Sequence, residues 1–175
     1  MALTRVFYED WQMECCGTPF AVGDEVAWPL AVHGDGERGE DPGYGAGARV
    51  ENHADVGQET LGRVHAIELV HQEHVVLTDP RAAERLDRAP DPDAESEGAL
   101  LLPSPYQMEA VPGAWTLEPV TACPKWFRSE EPGRGPGPHR IRRTQGALVT
   151  LDVTGVRDIP AEESGTTPEE PGDRH

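Results

Sequence analysis

The sequence predicts a mainly β protein, a small antiparallel barrel or curled sheet with long acidic loops. Three observations carry that expectation. First, Gly146 to Val156 alternates cleanly, with Ala147, Val149, Leu151 and Val153 set against Thr150, Asp152 and Thr154, the period-two pattern of a strand with one face buried. Second, 19 Gly and 17 Pro in 175 residues make about a fifth of the chain structure-breaking, above the usual ~12% for the pair; long helices are disfavoured and short strands between turns favoured. Third, the formal charge of −17 is unevenly spread: residues 35–59 carry seven acidic and two basic side chains, 79–97 seven and three, and 158–175 six and one. Outside them stand 12 acidic and 9 basic residues. The expected folded part is therefore nearly neutral, and the acid belongs to solvated, self-repelling loops and a tail.

In chain order, Thr4–Tyr8 has the β-branched and aromatic content of a first strand. Cys15-Cys16-Gly17-Thr18-Pro19 reads as a turn, because Gly17 and Pro19 both interrupt regular structure. Gly23-Asp24 opens a second strand with Val26 and Trp28 on one face, and Pro29, lacking an amide proton, marks it as an edge or a bulge. An acidic glycine-rich loop follows from His33 to about Glu59. The third strand runs over 62–70, with Gly62 suited to a bulge or close backbone approach, and after a turn at 71–74 a short fourth covers 75–77.

Residues 79–98 read as a second loop, in which Arg81 to Arg88 allow a helical turn or two before Pro90 and Pro92 end it. Ala99–Leu102 returns to apolar character, Val111-Pro112-Gly113 is a turn, and Trp115 and Leu117 share one face of a strand weakened by Pro119. The Gly/Pro run at 132–138 is irregular, and the alternating stretch after it is expected to close the sheet. The organisation expected is one β-rich domain over 1–157, with mobile loops near 34–58, 79–98 and 129–140, and a disordered acidic tail over 158–175. The glycine turns before the strands at 24–28 and 62–67 resemble those of SH3-like barrels.

Charge and hydropathy exclude some functions. Phosphate binding draws on a basic surface that releases counterions, whereas the one basic cluster, His139, Arg140, Arg142 and Arg143, is short and isolated; nucleic acid is not an expected partner. No apolar run approaches the ~20 residues that cross a bilayer, and Glu9 and Asp10 interrupt any signal-peptide core. A cytoplasmic protein without membrane contact is expected, and in a reducing compartment its three cysteines are expected as free thiols. No phosphate-cradling loop, nucleophile elbow or His-Glu-x-x-His motif occurs.

The opening Phe7-Tyr8-Glu9-Asp10-Trp11-Gln12-Met13-Glu14-Cys15-Cys16-Gly17-Thr18-Pro19-Phe20, with Gly23-Asp24-Glu25-Val26-Ala27-Trp28, resembles a family of short actinobacterial proteins known as a domain of unknown function. His53, Thr60-Leu61-Gly62-Arg63-Val64-His65-Ala66-Ile67 and Val111-Pro112-Gly113 extend the likeness, which covers roughly 5–33, 53–70 and 106–126. The resemblance implies no activity, substrate or cofactor.

Chemistry-bearing residues concentrate in that opening. Cys15, Cys16 and His53 are candidate zinc ligands, since thiolate and imidazole suit that ion. Against this, adjacent cysteines on an extended backbone point apart, a fourth ligand would have to come from Cys123, His33 or a carboxylate, and cysteine often serves as a small buried apolar group. Cys16 is also a candidate nucleophile, with His53 or His65 as base and Glu14 or Asp24 as orienter, but the surrounding carboxylates oppose a lowered thiol pKa. His65, His71 and His74 read as surface histidines. Tyr8, Trp11, Phe20 and Trp28 are candidate binding residues, with core packing as the plainer alternative. The reading that leads is a non-enzymatic binding or interaction module with an unidentified protein or small-molecule partner and no cofactor; the alternative is a zinc-binding protein or Cys-dependent enzyme centred on Cys15, Cys16 and His53.

Overall fold

The computed structural model describes residues 2–32, 43–54, 57–78, 106–133 and 138–159. The expected loop at 79–98, the apolar segment at 99–102, His33 and the tail from residue 160 lie outside the described residues. The described chain is mainly β with one helix, as the alternation and the turn-former content predict.

The strands are β1 (Ala2–Glu9), β2 (Phe20–Ala21), β3 (Glu25–Trp28), β4 (Leu30–Val32), β5 (Ala48–Val50), β6 (Gln58–Thr78), β7 (Tyr106–Val120), β8 (Ala122–Cys123) and β9 (His139–Asp158), and the helix is α1 (Asp10–Cys16). One sheet runs β3-β6-β9-β1-β5-β4 with β7 added on β6, and β2 pairs with β8 in a second, two-stranded sheet. All described pairings are antiparallel except β1 with β5. β3 and β4 lie at opposite ends of the strand order, yet only Pro29 separates them in sequence. The sheet must therefore curl strongly, into a half-barrel. Pro29 sits where its missing donor interrupts pairing, as expected of it.

Several elements differ from the sequence expectation. The stretch read as two short strands and a turn is one 21-residue strand, β6. Its alternation is concealed by register shifts at Leu61/Gly62, Val64/Ala66 and Val70/His71 against β9 and at Gln72/His74 against β7; each bulge resets which face the next side chain occupies. Gly62 makes the close approach expected of it: a Cβ there would lie 2.6 Å from Leu151 Cγ. β7 continues through Pro112 and Gly113, the latter at φ +71°, and tolerates Pro119 because β7 pairs on one side only. β9 does not close the sheet. It lies at its centre, between β6 and β1. Within the stretch read as a loop before residue 59, β5 pairs with β1 and β4.

The core follows from the alternation. Val6, Tyr8, Val64, Ile67, Ala147, Val149 and Leu151 pack inside the curl with Met13, Phe20, Trp28 and Val50. A smaller cluster of Phe7, Tyr44, Val70 and Leu148 forms where β1, β6 and β9 contribute neighbouring residues of opposite facing. Tyr44 stacks at a tilt on Phe7, with ring centroids 5.1 Å apart. Among the described residues, no helix is long and apolar enough to cross a membrane.

Candidate functional site: a cysteine–histidine corner beside the aromatic core

Cys15 and Cys16 do not lie in a turn. They end α1, a seven-residue helix with no side-chain cap at Glu9. So short a helix owes its stability to tertiary packing, here the burial of Gln12 and Met13. Asp10 in the first turn complements the helix dipole, accepts the Trp11 amide at 2.8 Å and faces Arg143 at 3.6 Å; burial raises its pKa above the ordinary value, against the lowering effects of the Trp11 amide and Arg143. At the other end the Gly17 amide donates to Gln12 and Met13 carbonyls, and Lys125 Nζ donates to the Gly17 carbonyl at 2.9 Å. Gly17 cannot carry a side chain here, since a Cβ would stand 2.4 Å from Met13 Sδ and 2.8 Å from Met13 Cα.

The helix removes the objection that adjacent cysteines diverge. Successive helical residues are turned by only about 100°, and Trp11 and Cys15, one turn apart, share a face. Both meet His53. Trp11 stacks on the imidazole with centroids 5.0 Å apart, while His53 Nε2 lies 3.4 Å from Cys15 Sγ and 3.5 Å from Cys16 Sγ. The three potential ligand atoms all fall within 4.8 Å of one another and all three residues are exposed. The expectation of three free thiols is overturned: Cys15 and Cys16 are joined as a vicinal disulfide, and only Cys123 is free. The helical end brings the two sulfurs to one side of the backbone, which an extended chain would not do.

His53 is held from behind by residues of which the sequence singled out only Tyr8. The Asn52 amide donates to Gln12 Oε1 at 2.8 Å, and Asn52 Nδ2 donates to the Tyr8 hydroxyl at 3.0 Å. The His53 amide donates to Glu51 Oε1 at 3.2 Å, and the Glu51 amide to the Pro29 carbonyl. Gln12 and Tyr8 are buried, so residues 51–53 are tied to the core while the imidazole remains outside. Burial raises the Tyr8 pKa, with the Asn52 hydrogen bond opposing and Cys123 adding to the rise. The one available signal was a glutamine inside an otherwise apolar helical face.

The other candidates separate. Tyr8, Phe20 and Trp28 are core residues, 2%, 5% and 8% exposed, with Phe20 and Trp28 edge-on at 4.9 Å and Tyr8 and Trp28 at 5.4 Å. Burial of each contributes roughly 1.5–3 kcal/mol. Their edges also line a cleft of about 440 Å³ shared with Cys16, Thr18, Asp24 and Asn52. Trp11 alone of the four is substantially exposed, at 49%. Cys123 is buried outside the cysteine–histidine group, and burial pushes its thiol pKa to about 12. Glu14 accepts from the Phe127 amide and Asp24 from the Ala21 amide, so neither orients a histidine. His65 is exposed on β6. His74, expected at the surface, is buried, and burial lowers its pKa. His71 bridges Thr144 Oγ1 at 3.0 Å and Glu118 Oε2 at 2.7 Å beside a depression of about 690 Å³. That order resembles a nucleophile–base–acid relay, but Thr144 is 4% exposed and does not line the depression.

Fold and site together define a half-barrel β protein with an exposed cysteine–histidine corner braced by its aromatic core. The chain belongs to a family of unknown function, DUF6578, whose model matches residues 2–153. Neither the curated proteins nor the solved structures give a match.

Proposed function

We propose that this protein is a non-enzymatic binding module whose ligand is a thiophilic divalent metal ion of the zinc type, held by Cys15, Cys16 and His53 when the two cysteines are reduced. The observation that carries this reading is the convergence of three soft donor atoms within 4.8 Å at one exposed corner. Zinc binds cysteine sulfur at ~2.3 Å and histidine nitrogen at ~2.0–2.1 Å, so small side-chain movements suffice. The hydrogen bonds behind residues 51–53 supply the orientation that a ligand histidine needs. The carboxylate of Glu51, which accepts the His53 amide at 3.2 Å, lies beside the corner and favours a cation there. Three protein ligands leave a fourth tetrahedral position open, next to the cleft that Cys16 lines, where a small molecule or a partner's side chain can complete the shell.

Titrating zinc into metal-free, reduced protein tests this by calorimetry. One equivalent should bind with release of protons from the ligands, and Cys15→Ser, Cys16→Ser and His53→Gln should each weaken binding by about 10-fold or more. A stoichiometry near zero, or affinity unchanged in all three variants, overturns it.

A further inference from the structure

We infer that Cys15 and Cys16 form a redox couple that exchanges between vicinal disulfide and dithiol by reaction with a small-molecule thiol. This goes beyond metal capture and does not depend on it. Three observations support it. The two sulfurs are bonded to each other in an exposed corner rather than sealed in the core. His53 Nε2 lies within 3.5 Å of both, so one imidazole can serve whichever sulfur leaves. Cys16 lines the adjoining cleft, so a small thiol seated there stands beside Cys16.

The third cysteine excludes an internal partner. Cys123 is 2% exposed, hydrogen-bonded to the Pro124 carbonyl and held protonated by burial, so electrons must come from outside the chain. The steps balance as follows. A thiolate RS⁻ attacks Cys16 Sγ, forming the RS–Cys16 bond while the Cys15–Cys16 bond breaks and its electron pair goes to Cys15, whose sulfur His53 Nε2 faces at 3.4 Å and which takes up a proton from solvent. A second thiolate attacks the external sulfur of the mixed disulfide, releasing RSSR and the Cys16 thiolate, which is protonated in turn. Two RSH are oxidised, and one protein disulfide is reduced to two thiols.

The test equilibrates the wild-type protein, with chelator present, in buffers spanning cysteamine–cystamine ratios, then denatures and alkylates it for intact mass. With three cysteines in the chain, the oxidised form takes one alkyl group and the reduced form three. The inference requires these two species to exchange as the ratio changes. Three groups at every ratio, or a dominant cysteamine adduct, overturns it. His53→Gln should slow the approach to equilibrium by about 10-fold or more with the end point little moved; an unchanged rate removes His53 from the step. Because metal is absent throughout, failure here leaves zinc binding standing, and failure to bind zinc leaves the exchange standing.

Discussion

Replacing Asn52 by alanine tests whether the corner is held by the core or merely lies near it. In the wild type, Asn52 Nδ2 donates to the Tyr8 hydroxyl at 3.0 Å, and Tyr8 is 2% exposed. Removing the amide leaves a phenol oxygen in the core without that donor, which costs about 1–3 kcal/mol. Tyr8→Phe instead frees an amide that is only part-buried and can turn to water; its cost is about 0.5–1.5 kcal/mol. With both groups gone nothing is left unpaired, so the double variant should be more stable than the two single losses summed, by about 1 kcal/mol. Urea unfolding of the four proteins measures this, and a chain of this size should shift its Tm by about 2–4 °C per kcal/mol. In Asn52→Ala the Trp11–His53 stack, next along the chain, should also loosen and change Trp11 fluorescence. Strictly additive losses, or an Asn52→Ala variant as stable as wild type, would refute the claim that Tyr8 anchors the residues before His53.

Three further outcomes are expected. Gly17→Ala places a methyl within 2.4 Å of Met13 Sδ and 2.8 Å of its Cα, so unfolding should be easier by about 1–3 kcal/mol, and the helix end carrying both cysteines should shift, weakening zinc binding more than Thr18→Ala does. Cys123, whose pKa is raised from 9.0 to about 12 by burial, should resist alkylation in the native protein at neutral pH. As its folded pKa lies above the unfolded one, its contribution to stability is complete below pH 9.0 and is lost as pH rises toward about 12; Cys123→Ala should flatten that alkaline slope. His74 has the opposite sign: its pKa is lowered from 6.5, chiefly by burial with Arg143 adding, so its contribution is present above pH 6.5 and declines as pH falls through the folded value. His74→Gln should reduce the acid-side slope in unfolding experiments between pH 7 and 5.

The parts of the fold that were legible in the sequence are those where one face of a strand keeps a single register. β3 and the second half of β9 announce themselves through alternation, since residues such as Val149 and Leu151 face one core without interruption, and β1 through its β-branched and aromatic content. β6 was legible only in pieces, because bulges near Gly62, His65 and His71 reverse its facing. α1 was not legible at all. Seven residues give barely two turns, no Ser, Thr or Asp caps the start, and the helix depends on burying Gln12 and Met13 against strands distant in sequence. Tyr44 illustrates the same limit: it stands in a glycine-rich stretch, yet its ring packs on Phe7 and Trp115.

The site was legible as chemistry and not as geometry. Cys15, Cys16 and His53 could be named together from residue type alone. What joins them is a helical rather than extended backbone at the cysteines, and a chain of hydrogen bonds from Gln12 and Tyr8 to Asn52. Both depend on contacts some 40 residues apart in sequence, for which local pattern carries no information.

X-ray absorption at the zinc edge of the reduced, zinc-loaded protein addresses the central claim most directly. The account predicts two sulfur scatterers at ~2.3 Å and one imidazole nitrogen at ~2.0–2.1 Å, with one lighter atom completing the shell. A shell of oxygen and nitrogen alone, or spectra identical after His53→Gln, would contradict it.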